Sequence, residues 1–152
     1  MRVSVIGGSS VDRETYETSR EVGRLLGERG HGVVCGGLGG VMAAACRGAR
    51  EEDAETIGIL PTASRDDANE WVTTPVATGM GNARNALVVL NGDGVVAVDG
   101  ATGTLSELGH ALDFGRPVAG LDTHAVDLPG FRAVATPEAA VDYVESSADH
   151  QR

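Results

Sequence analysis

The chain has no lysine. All 12 of its basic residues are arginine, set against 22 aspartates and glutamates for a formal net charge of −10. Without a lysine amine no Schiff base to pyridoxal forms, which excludes pyridoxal-dependent decarboxylation. A surface this negative repels nucleic acid and anionic membranes, so neither is an expected partner. Cysteine is nearly absent too. Cys35 and Cys46 are too few for a disulfide framework and lack metal-ligand spacing, so the expected setting is reducing and Cys35, ending an apolar strand, reads as an inert buried thiol. His31, His110, His124 and His150 are scattered, and no metal site or Ser-His-Asp set is expected. No apolar run approaches the ~20 residues that span a bilayer. The opening "MRVSVIGGSS" passes straight into a strand pattern, so the expected location is the cytoplasm.

What is present is a regular alternation within 152 residues, enough for one compact domain. Strands are expected at 2–6, 32–35, 56–60, 94–98 and 117–121, with a weaker one at 76–80 demoted by Pro75. Helices are expected at 14–29, 41–49, 83–91 and 104–114, and a last one capped by Thr136 runs to about 146. Residues 147–152 read as a frayed tail, and 62–75 as a loop. Several strands are wholly apolar, which fits a doubly wound, mainly parallel α/β sheet with helices on both faces. Such sheets hold ligands beyond the carboxyl ends of their strands. Glycine-rich stops mark three of those ends, at 7–8, 36–40 and 100–103.

These stops carry a resemblance. The order "VIGGSS", "VVCGGLGGVMAAACRGA", "TIGILP", "TGMGNARN", "DGATGTLSE" resembles the Rossmann-like superfamily once labelled lysine decarboxylase-like. That superfamily includes the Lonely Guy (LOG) phosphoribohydrolases and the molybdenum-cofactor carrier proteins. Its signature is an Arg-Lys pair followed by Pro-Gly-Gly-x-Gly-Thr-x-x-Glu. Arg84 takes the place of the signature Arg, and Asp99 to Glu107 match the second motif in register. Three positions depart: Asn85 replaces Lys, Asp99 replaces Pro, and Ala101 replaces the second Gly. The Arg-Asn pair and the short segment after the loop look most like the carrier branch. The resemblance runs from residue 2 to about 121 and implies a Rossmann-like nucleotide-binding fold, with the single domain expected over 1–146, and assembly as a homodimer or higher homo-oligomer. The Ala-rich helix at 41–49 suits close packing against a partner helix.

Each residue then has an expected role. Gly100, Ala101, Thr102, Gly103 and Thr104 open a helix whose free amides favour an anion. Arg84 supplies a planar fork of donors for phosphate or ribose, and Asn85 hydrogen-bonds a carbonyl or hydroxyl. Gly7, Gly8, Ser9, Gly36, Gly37 and Gly39 bring backbone close to the same ligand. Glu107 has two roles open to it. "TLSE" fits a capping box in which Thr104 caps the helix and Glu107 bonds back. In a hydrolase, Arg84 and Glu107 would instead be catalytic, the carboxylate steadying an oxocarbenium-like state.

Three functions follow. The first is a binding protein for a phosphorylated nucleotide-like or pterin-like molecule, the molybdenum cofactor or a nucleotide as bound ligand, with no cofactor required. The second is a nucleoside 5′-monophosphate phosphoribohydrolase that releases free base and ribose 5-phosphate. The third is an assembly protein with a vestigial pocket. The charge imbalance itself is tolerable in molar salt, where the Debye length falls to ~3 Å, and implies a salt-adapted source. The thermal midpoint is therefore expected to rise as KCl goes from dilute to molar. A falling midpoint in differential scanning calorimetry would refute salt adaptation.

Overall fold

A computed structural model describes residues 1–151. It contains β1 (Arg2–Gly7), α1 (Arg13–Glu28), β2 (Gly32–Cys35), α2 (Val41–Glu51), β3 (Thr56–Leu60) and β4 (Thr74–Ala77) in the first half. The second half contains α3 (Asn85–Leu90), β5 (Gly94–Val98), α4 (Thr102–Asp113), β6 (Val118–Leu121), β7 (Phe131–Ala133) and α5 (Pro137–His150). The sheet order is β4-β3-β2-β1-β5-β6-β7, with every pairing parallel. The chain winds outward from β1 to β4, then returns to β1's other side and winds outward again from β5. This is the expected doubly wound α/β fold, and the winding reverses between β1 and β5.

Alternate residues of each central strand enter different cores. Val3, Val5, Val33, Val96 and Val98 pack with Val22, Leu26, Ala45 and Val144 under α1, α2 and α5. Ile6, Val34, Val95 and Ala97 pack with Val88, Val89, Leu108 and Ala111 under α3 and α4. Burial on both faces makes these strands read as continuous apolar runs. Ser4 is the polar exception, and its hydroxyl donates to Val88 O at 2.7 Å.

Four expectations need correction. β4 lies at 74–77 rather than 76–80 and includes Pro75, tolerated because β4 is an edge strand. β7 was not expected at all. The last helix continues to His150, so the segment 147–150 belongs to α5 rather than to a frayed tail, while Arg152 lies outside the described residues. Finally, α2 spends its small residues inside the chain. It packs on α1 so closely that a methyl group on Gly23 would meet the Ala45 backbone, and one on Gly48 the Arg20 and Arg24 backbone. The Ala-rich helix is thus already occupied.

That contact gives a stability prediction. Gly48→Ala must separate two backbones with no flexible side chain to yield, and is expected to cost about 1–3 kcal/mol in urea unfolding. A neutral substitution would mean that α1 and α2 sit further apart than described.

Candidate functional site

The reversal of winding leaves a crevice beyond the carboxyl ends of β1 and β5, and there the structure has a cleft of about 200 Å³. Gly7, Gly8 and Ser9 line it from the end of β1, Leu38 from the loop after β2, and Met42 from the first turn of α2. Asn82, Arg84 and Asn85 reach it from beyond β4; Ala101, Gly103, Thr104 and Glu107 come from α4 and its approach. Two glycines allow the loops to converge. A Cβ on Gly7 would collide with Val98 O and Val41, and Gly40 (φ 60°) presses on the backbone of Gly8 and Ser9.

Not every expected residue lines the cleft. Gly36 lies behind Arg84, close enough that a Cβ would stand 2.8 Å from its guanidinium. Gly37 packs on Leu60 and Gly58, and Gly39 faces Ser9 O. Gly100, at φ 112°, turns the chain against the Thr104 side chain, and Thr102 is exposed at the first position of α4. The sequence reading missed Leu38, Met42 and Asn82. Asn82 could have been found, since the 3₁₀ turn Gly81–Arg84 places it beside the arginine it precedes.

Helix N-termini set the electrostatics. α1 and α5 are capped by side chains: Asp12 Oδ1 accepts from Thr15 N at 2.8 Å, and Thr136 Oγ1 from Ala139 N at 3.1 Å. α2, α3 and α4, which begin at the cleft, have no side-chain cap. The first amide of α2 is already taken, Val41 N donating to Gly8 O at 3.0 Å, and the positive ends of these helices lie at the cleft. The capping-box expectation is therefore wrong. α4 begins at Thr102 with Ala101 as N-cap, two residues earlier than expected, so Glu107 lies beyond the first turn and cannot bond back to Thr104's amide. Asp99 adopts φ 55°, which a proline ring forbids, so the loop opens differently from the proline-led signature. Thr123 Oγ1 donates to Asp99 O at 2.7 Å, and His124 Nε2 bonds Ala101 O at 2.9 Å, bracing the loop from behind.

Inside the cleft stand a buried guanidinium and a buried carboxyl. Arg84 is 7% exposed and Glu107 8%. They influence each other's ionisation without forming a direct ion pair among the described residues. Asn85 Oδ1 accepts a hydrogen bond from Arg84 Nη1, whereas Arg84 Nε is buried with no partner. An unsatisfied buried donor costs about 1–3 kcal/mol, more when charged. Burial lowers the Arg84 pKa against the opposing pull of Glu107. Burial likewise pushes the Glu107 carboxyl from its ordinary 4.5 to about 8, Arg84 holding it back in part. Beside the cleft, Asp12, Glu14, Asp99 and Asp122 form an acidic rim at the ends of β5 and β6.

The raised carboxyl gives a pH prediction. A folded-state pKa above the unfolded one stabilises fully below pH 4.5, and that contribution is lost as pH rises toward 8. Glu107→Gln removes this dependence. The variant should gain on the wild type by up to about 1.4 kcal/mol per pH unit between those limits in urea unfolding. A difference that stays constant with pH would mean the carboxyl is not held neutral.

Comparisons with known proteins agree with this architecture. The profile of the SLOG cluster4 family matches residues 1–150. A protein of Archaeoglobus fulgidus is 42% identical over 147 residues, 97% of this chain and 96% of that one. The molybdenum cofactor binding protein of Rippkaea orientalis superposes with a TM-score of 0.88 at 30% identity, covering 95% of each chain. The Moco carrier protein of Chlamydomonas reinhardtii gives a TM-score of 0.88 at 28% identity, covering 98% of each. DNA processing protein A of Helicobacter pylori, at 17% identity and a TM-score of 0.73 over 96% of this chain and 80% of that one, shares the fold alone. On the profile match and the relatives together, the chain belongs to the SLOG cluster4 family.

Proposed function

We propose that the chain binds a phosphorylated, nucleotide-like or pterin-like small molecule in this cleft and holds it without transforming it, as a molybdenum-cofactor carrier does. The observation that carries this is Arg84: a buried cation, its Nε unpartnered, beside the uncapped N-terminus of α4. That combination suits a phosphate, which accepts from a guanidinium fork and from helix amides at once. The names of the Rippkaea and Chlamydomonas proteins support the same class of ligand, with the molybdenum cofactor as cargo. Asn85 supports holding rather than cutting. It spends its Oδ1 on orienting Arg84, where the hydrolase signature has a second cation.

Glu107 favours a second reading. A carboxyl raised to about 8, facing the cleft near Arg84, is placed to donate or accept a proton at neutral pH. That is what a nucleoside 5′-monophosphate phosphoribohydrolase would need as a base leaves the sugar.

We also infer that two copies associate through the outer face of α3 and α4. From Gly81 to Gly92 and from Gly100 to Leu112 the only formal charges are Arg84 and Glu107, both buried. Leu90 (45% exposed), Leu105 (49%) and Met80 (49%) leave this area apolar as well as neutral. A protein of charge −10 meets a second copy at least cost through such a face.

Two sets of measurements test these readings. Arg84→Ala is expected to weaken AMP or inorganic phosphate binding roughly 10- to 150-fold in calorimetry, since a charged hydrogen bond contributes about 1.5–3 kcal/mol. Glu107→Gln should leave affinity at pH 7 nearly intact. Release of free base from nucleoside monophosphates by the wild type, abolished in Glu107→Gln, would defeat the carrier reading and establish the hydrolase. Light scattering in molar KCl should give a dimeric mass that Leu105→Glu halves; a monomeric wild type removes the interface.

A further inference from the structure

Beneath the cleft lies a feature that binding does not use. Cys35, the last residue of β2, and Cys46, in the second turn of α2, are both fully buried, with Sγ atoms 3.5 Å apart. They share a small core cluster with Met42, against which Trp71 and Val72 pack. Two links tie this cluster to the ligand site. Met42 is also a wall of the cleft. Gly36, next to Cys35, carries the Arg84 guanidinium and the Met42 sulfur against its α-carbon. The pair therefore joins β2 to α2 at the point where both contribute to the cleft.

We infer that Cys35 and Cys46 form a reversible intramolecular disulfide that repositions the α2 wall and weakens ligand binding. This rests on the cleft being the binding site proposed above. A disulfide places its sulfurs about 2.05 Å apart, so the two need to close by roughly 1.5 Å. The side chains sit on different elements, and in this switch α2 moves toward β2 or turns. Either motion carries Met42 and the uncapped first turn of α2 with it. The chemistry needs an oxidant, for which hydrogen peroxide is small enough. Cys35 gives up its proton, its thiolate attacks one peroxide oxygen, the O–O bond breaks, and the hydroxide that leaves with its electron pair takes up that proton as water, giving the Cys35 sulfenic acid. Cys46 thiol then attacks that sulfur; the S–O bond breaks, and the expelled hydroxide takes up the thiol proton as water. The sum is two thiols and one peroxide to one disulfide and two waters.

The surroundings favour that order of attack. Cys46 hydrogen-bonds to Cys35, and Gly37 N donates to Cys35 Sγ at 3.3 Å. The bond from Cys46, helped by Gly37 and the charge of Arg84, holds the Cys35 thiol below its ordinary pKa despite burial and the opposing charge of Glu107. The same bond and burial push Cys46 up. Cys35 is the attacking sulfur and Cys46 the resolving one.

The experiment treats the whole protein with hydrogen peroxide and follows it by intact mass, thiol count, inorganic phosphate calorimetry and hydrogen exchange of residues 36–44. The expected result is loss of 2 Da and of both thiols, restored by dithiothreitol and absent from Cys35→Ser and Cys46→Ser. Oxidised protein should bind phosphate at least fivefold more weakly, and the exchange of 36–44 should change. Oxygen adducts without the 2 Da loss, or untouched thiols, overturn the switch. So does a disulfide that leaves exchange and affinity as they were. If phosphate binds neither form, the proposed binding site falls, and exchange alone upholds or overturns the link between the disulfide and the α2 wall.

Discussion

One arginine, buried at the edge of a parallel sheet and short of a full set of partners, organises the rest of this molecule. Taking a guanidinium out of water costs several kcal/mol, and the fold must return most of that. It does so from both halves of the sheet. The 3₁₀ turn after β4 presents Arg84, Gly36 leaves space for it, Asn85 holds one of its nitrogens, and the Glu107 carboxyl comes from α4, after β5. The two windings of the chain thus meet around this guanidinium, across the point where they diverge.

Asn85 makes the arrangement directional. A second cation there would strengthen the field on a bound anion and drag Glu107 toward its charged form. An amide instead fixes the angle of the guanidinium and leaves Glu107 neutral over most of the physiological range. Recognition then depends on geometry more than on net positive charge. That is consistent with a chain that has no lysine and several of whose surface arginines are committed to carboxylates. Arg20 pairs with Glu17 and Glu51, Arg24 with Glu21, Glu28 and Glu52, and Arg29 with Asp142 and Glu145. Each such exposed pair contributes little alone.

Much of this was legible in the residues, and the failures have physical causes. Strands such as 94–98 announce themselves because burial on both faces removes the polar half of the usual alternation. The glycine-ended loops at 7–8 and 99–104 pointed to the cleft because backbone can approach a ligand only where side chains are absent. β7, three residues long, has no period to detect; its pairing with β6 creates it. "TLSE" misled because a capping box is a local rule, whereas the start of α4 is set from outside, by the braces from Thr123 and His124. The Ala-rich segment at 41–49 did predict close helix packing. What a single sequence could not specify was that α1, with Gly23, supplies the partner.

The hollow lined by Asp12, Glu14, Asp99 and Asp122 adds to the field of a chain whose formal charge is −10. At low ionic strength that field extends some tens of ångströms into solvent; in molar salt it shrinks to about the width of a water molecule. A buried charge is screened far less. Brine therefore quiets the outside of this fold while leaving the guanidinium of Arg84, in its recess, almost as it was.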